Sequence, residues 1–209
     1  QALALCRESF VQFRRGEMRA AVASAAAALK AARNSRQPEL EALSLSRLSR
    51  MQGGARIDVH AAVRNGARAA ALFASLGDTA GQGRALRAQC GAMWASDQTV
   101  LGAPVAAESL ALARRCGDLF GQGEALNALA IGDADIAARL RLTNQSLDAH
   151  KAAGYVLSQA SANGNLGNNY ADLGLYRRAR RLTLEAADIS RRAGEKGGLL
   201  VWIWNLAQC

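Results

Sequence analysis

The stretch "LGDTAGQGRAL", residues 76–86, is followed forty residues later by "CGDLFGQGEAL", residues 116–126. A chain that writes nearly the same sentence twice holds either a ligand loop used twice or a structural unit that recurs, and the wider sequence decides between them. Helix stops built from a small residue, Gly and a polar residue recur as "LGD" at 76–78, "CGD" at 116–118, "AGY" at 153–155 and "AGE" at 193–195, with "ARN" at 32–34 as the first. From Asn34 through Gly77, Gly117, Gly154 and Gly194 the intervals are 43, 40, 37 and 40 residues. Gly, or Asn at the first stop, suits a residue that leaves the last helical turn in the left-handed region. The period is therefore near forty, with extra residues around "QGGAR" at 52–56.

Between stops, each unit holds two amphipathic stretches. In 176–194, Ala179, Leu182, Ala186, Ile189 and Ala193 recur at three and four residues and fall on one helical face, while Arg177, Arg178, Arg180, Arg181 and Arg191 point elsewhere. Gly174 makes a tight turn back to the preceding stretch, 156–174, so each unit reads as a helical hairpin. Half of the 209 residues are apolar, and alanine and leucine dominate that half, with four Phe, three Tyr, three Trp and two Pro. Strong helix formers at this density, with strand-favouring residues scarce, predict an all-α chain with close helix packing. The glycine pairs Gly81/Gly83 and Gly121/Gly123 lack the lysine, the third glycine and the preceding strand that a phosphate loop needs. They are read as linkers between a helix stop and the next helix.

With the hairpin established, a family resemblance follows. Leu166, Gly167, Tyr170, Gly174, Tyr176, Ala179 and Ala186 stand at the signature spacing of the tetratricopeptide repeat, TPR, and Gly16 with Ala21 repeats part of it. The resemblance implies a right-handed TPR-like superhelix, an α–α solenoid of hairpins, in which small residues admit close approach and the tyrosines fill gaps between hairpins. Its units are expected at about 1–34, 38–77, 81–117, 121–154 and 156–194, with a partial unit at 197–209, forming a single array over 1–209. Long alanine-rich units of this kind resemble regulatory arrays of bacterial signalling proteins, such as nucleotide and diguanylate cyclases and large transcriptional activators. The implied function is a non-catalytic cytoplasmic module that binds a protein or peptide in its concave groove and biases an attached output domain.

Carrying the family's groove positions across gives Arg84, Arg87 and Trp94 from 81–117, Glu124, Asn127 and Ile131 from 121–154, Asn168 and Asp172 from 156–194, and Trp204 and Gln208 from the last stretch. Arg and Trp suit interface hot spots, and Asn offers a donor and an acceptor to a peptide backbone. Two alternatives stand beside this reading. One is a nucleic-acid scaffold using the arginines at 177–181 and 191–192, given a net charge of +9 from 26 basic and 17 acidic residues. The other is a dimerisation scaffold.

No catalytic, metal or cofactor constellation is read from the sequence. His60 and His150 are taken as exposed helix positions, Asp133 and Asp135 as an acidic turn before a helix, and Asn144-Gln-Ser146 as a chance acceptor pattern. Cys6, Cys90, Cys116 and Cys209 show no paired spacing and are read as reduced packing residues. No apolar run approaches the roughly 20 residues of a membrane span. The chain starts on Gln1 inside a helical pattern, and "GGLLVWIWNLAQC" at 197–209 opens a further unit. Continuation of a longer parent, or packing of this apolar end against another copy as a homodimer, is expected.

Overall fold

The computed structural model describes residues 1–98 and 100–207; Thr99, Gln208 and Cys209 lie outside the described residues. Among these are eleven α-helices and no strand. They are α1 Ala2–Arg14, α2 Met18–Ser35, α3 Pro38–Ala55, α4 Val59–Ser75, α5 Thr79–Ala95, α6 Ala103–Arg115, α7 Leu119–Gly132, α8 Ile136–Ala152, α9 Val156–Asp172, α10 Tyr176–Arg192 and α11 Lys196–Leu206, with a 3₁₀ turn at Val100–Gly102. The chain divides into two compact units, Gln1–Gly121 and Gln122–Cys209.

In the first unit each helix packs on the next, and the odd-numbered helices α1, α3 and α5 also pack on one another in series. Its core is built from Ala21, Ala25, Leu29, Leu45, Met51, Phe73, Leu86 and Leu112 among others. Alanine at the crossings lets the longer side chains reach across, and each buried leucine adds about 1.5–3 kcal/mol by leaving water. In the second unit α9 packs on α8, α10 and α11, around one cluster centred on Leu147, Leu166 and Leu182 and another on Ala160, Ala186 and Trp202.

The repeated sentence resolves into a device with two parts. Gly77 and Gly117 adopt φ of +71° and +66°, ending one helix. The aspartate that follows caps the next helix: Asp78 accepts from the Gly81 N–H at 2.7 Å, and Asp118 from the Gly121 N–H at 2.8 Å. Each such cap adds about 1 kcal/mol. Glu195 takes the same role toward Gly198 at the start of α11. Gly81, Gly83, Gly121 and Gly123 are therefore not linkers; they lie inside the first turns of α5 and α7. A side chain on Gly81 would collide with Phe73, and one on Gly123 with the His150 ring.

Several sequence expectations shift. The first stop is not Asn34, which lies within α2; Arg36 takes the left-handed conformation, φ 54°. The extra residues around 52–56 lengthen α3, and Gly53 and Gly54 sit in its last turn because Ala92 and Phe13 occupy the space a Cβ would need. Ala179, Leu182 and Ala186 are buried as their spacing predicts, but Ala193 caps α10 and is exposed. Tyr170 packs beside the Leu147 cluster, whereas Tyr176 is exposed and fills no gap. Cys6 is buried and Cys90 half-buried, but Cys116 is exposed at the end of α6, so packing does not account for it. Burial pushes the Cys90 thiol up to about 11, which leaves it protonated and unreactive near neutral pH.

Candidate interaction surface

In the first unit, Arg84 is exposed on α5 with its guanidinium 3.7 Å from the Asp78 carboxylate. Arg87, one turn on, is largely buried: its side chain is 13% exposed, pairs with Asp118 at 3.2 Å and lies over the Phe120 ring. It is a structural cation that ties α5 to the start of α7. Trp94 is half exposed near the end of α5 and carries the Arg56 guanidinium 5.3 Å from its ring centre.

The second unit brings its candidates closer together. Asn127 on α7 accepts from the Asn165 amide on α9 at 2.7 Å, and Asn168, one turn further along α9, accepts from the Asn205 amide on α11 at 3.0 Å. Two amide pairs thus link three successive odd-numbered helices. Asn127 and Asn168 are among the groove positions expected from the sequence, while Asn165 and Asn205 are not; the three-residue spacing of Asn165 and Asn168 on one helix face was the signal. Asp172 pairs with Arg139 of α8, which also donates to Asn169 at 3.0 Å, so its carboxylate is engaged within the unit. Ile131 is exposed at the end of α7, and Trp204 is exposed on α11. Gln208 lies outside the described residues.

Glu124 has a partner that sequence reasoning placed elsewhere. His150 is not an exposed helix residue: it is 1% exposed, its ring stands against Gly123, and its Nε2 is 3.5 Å from Glu124 Oε1. Burial lowers its pKa while Glu124 pulls the other way, so the imidazole is neutral at neutral pH. The residue opposite it could not be seen from a single helical pattern, since Gly123 belongs to another helix. His60 is exposed as expected.

Asp135 caps α8 by accepting from the Ala137 N–H at 3.0 Å, and Asp133 accepts from the Asp135 N–H at 2.9 Å. These carboxylates are employed in a turn. No group of three or more His, Cys, Asp or Glu suited to a metal occurs among the described residues. Among the same residues no helix is long and apolar enough to cross a membrane. The arginines at 177–181 and 191–192 are partly neutralised: Arg181 pairs with Glu185, and both Arg191 and Arg192 pair with Asp188.

Consecutive helical hairpins, closed by left-handed glycines and joined through small residues, define an α-hairpin repeat protein. No protein-family model matches the chain, and no curated protein matches it in sequence. Solved structures do match in shape. The apo form of RapI aligns with a TM-score of 0.72 at 12% identity, covering 93% of this chain and 72% of its own. A signal transduction ATPase with numerous domains carrying a tetratricopeptide repeat sensor, from Pyrococcus horikoshii, aligns with a TM-score of 0.71 at 14% identity over 98% of this chain but 32% of its own length. A kinesin-light-chain-type protein of Podosopora anserina with nearly identical TPR-like repeats gives 0.62 at 14% identity, covering 91% and 95%. The fold is that of a TPR-like protein, an all-α solenoid.

Proposed function

We propose that this chain is a non-catalytic interaction module that holds an extended peptide or protein segment along the amide row of its second unit, and that it serves as the sensor part of a signalling protein. The observation that carries the reading is the pair of bonds Asn127–Asn165 and Asn168–Asn205 on α7, α9 and α11. An asparagine side chain offers two donors and two acceptor lone pairs. Each pair spends one of each, which fixes the orientation of both amides and leaves the remaining capacity for a backbone N–H and C=O laid across them. A main-chain ladder of that kind accepts many sequences, and neighbouring side chains such as Ile131 add preference. The sensor role draws its support from the likeness to an ATPase whose repeat array is a sensor.

Arg87 is no probe of binding, because Arg87→Glu would place a carboxylate beside Asp118 and disturb folding first. The useful variants are Asn127→Ala and Asn168→Ala. A peptide selected from a random library on the immobilised chain is expected to lose about tenfold in affinity with each variant, read by calorimetry, while far-ultraviolet circular dichroism stays unchanged. Retention of full affinity by both variants would remove the amide row as the binding site. The arginine-rich faces make a second test: affinity for a DNA duplex that stays below the micromolar range at physiological salt is expected, given the carboxylate partners of Arg181, Arg191 and Arg192.

A further inference from the structure

Counted from the residue before each helix, Asn165 and Asn168 stand tenth and thirteenth in α9 of the second unit. In α3 of the first unit the same two places hold Arg47 and Arg50. Three residues apart on one helix, the two arginines share a face. Arg47 is half-buried, its guanidinium carbon 5.3 Å from the centre of the Phe10 ring of α1, while Arg50 is exposed. On α5, which packs against α3, the thirteenth place is Gly91, where a Cβ would meet nothing within 4 Å. The neighbouring helix therefore sets no side chain there.

Two other arginines that sit low in the surface have carboxylates of their own: Arg87, 13% exposed, pairs with Asp118, and Arg139, 24% exposed, pairs with Asp172. Arg47 and Arg50 pair with no carboxylate among the described residues. Burial first, and the like charge of Arg50 second, lower the Arg47 pKa, with Cys6 opposing them. The fold thus sets two cations together against both desolvation and repulsion, and an anion between them relieves the repulsion.

We infer that this face of the first unit binds an acidic peptide, one of whose carboxylates seats between the guanidinium groups of Arg47 and Arg50. A guanidinium stacked on an aromatic ring keeps its N–H edges for a carboxylate, whose two oxygens match that fork. Arg14 holds the thirteenth place of α1, which packs against α3, and it too pairs with no carboxylate among the described residues, so successive acidic side chains of one strand meet cations on both helices. Residues 1–121 carry 16 basic and 9 acidic side chains, against 10 and 8 in 122–209, which centres the attraction for a polyanion on the first unit. Nucleic acid fits this face less well. Base stacking needs open aromatic faces, and Phe10 and Trp94 already carry Arg47 and Arg56. On α5, Arg84 and Arg87 are engaged by Asp78 and Asp118, so no track of unpaired cations runs on from α3 for successive phosphates.

Fluorescence anisotropy of labelled hexaglutamate, titrated with the 209-residue chain up to about 1 mM at physiological salt, tests this. Saturable binding is expected, with Arg47→Gln and Arg50→Gln each weakening it at least about fivefold at unchanged helicity. Arg177→Gln removes the same charge from an exposed place on α10 and is expected to leave the affinity within about twofold. If Arg47→Gln loses helicity, Arg50→Gln, whose side chain is exposed, decides the matter by itself. Absence of binding at the highest concentration, full affinity in the α3 variants that keep their helicity, or an equal loss with Arg177→Gln overturns the inference. Tighter binding of a labelled oligothymidine than of hexaglutamate also overturns it and assigns the face to nucleic acid. Asn127→Ala is expected to leave hexaglutamate binding unchanged, so failure of this site and failure of the amide row are told apart.

Discussion

Gly123 has no side chain because the His150 ring occupies the space: a Cβ there would stand 2.5 Å from the imidazole. Gly83, its counterpart in α5, would bring a Cβ no nearer than 3.6 Å to Leu112. The two glycines share a sequence context and differ in what opposes them, so their alanine variants should diverge. Gly123→Ala is expected to lower stability by about 1–3 kcal/mol through overpacking, whereas Gly83→Ala is expected to be neutral or to raise it by up to about 1 kcal/mol by removing a helix glycine. Urea unfolding monitored by circular dichroism separates them. Arg36 supplies a third case. Its left-handed φ of 54° strains a residue with a Cβ, and Arg36→Gly is expected to raise the unfolding midpoint, corresponding to roughly 0.5–1 kcal/mol. The burial of His150 and the left-handed turn at Arg36 rather than Asn34 were both illegible in the sequence. Each is decided by what another segment places opposite or after the residue, and a single helical pattern carries neither.

At the scale of elements, the pairing of α7 with α8 carries a proton dependence. The pKa of His150 is lowered from 6.5 by burial, against the pull of Glu124. The unfolded chain therefore binds a proton that the folded one resists, so stability is full above the unfolded value and falls as pH drops below 6.5. Thermal unfolding is expected to show a lower midpoint at pH 5.5 than at pH 7.5, conditions bracketing the histidine's ordinary range. His150→Gln is expected to flatten that difference, and an unchanged slope in the variant would remove His150 as its source. Contact between α9 and α11 rests on Trp202 over Gly164, where a Cβ would approach the ring to 2.2 Å. Gly164→Ala is expected to shift tryptophan emission to the red as the indole leaves its seat. Helix faces such as Ala179, Leu182 and Ala186 were legible from their spacing, because that periodicity is imposed by the same packing that buries them. The amide pairs were half legible, since the sequence marks which asparagines share a face but not which neighbour each one reaches.

Over the whole molecule, the abundance of alanine and leucine and the recurring stops make the all-α class readable in the sequence. What remained hidden was the reason for the repeated glycines. Gly123 seats the His150 ring, and Gly81 and Gly121 donate to capping aspartates, purposes that depend on three-dimensional neighbours. A repeat fold needs so little beyond alanine, leucine and a left-handed stop that sequences can drift far apart while the hairpins persist, in keeping with identities of 12–14% to the solved structures described above.

Between α5 and α6, Val100 and Leu101 of the 3₁₀ turn stand in solvent, 75% and 69% exposed. Foreign sequence grafted after Leu101 has room to loop outward, whereas the same graft at Gly77 or Gly117 would pull a capping aspartate off its helix. An epitope tag or a fluorophore therefore belongs after Leu101, where the capping aspartates of α5 and α7 keep their helices.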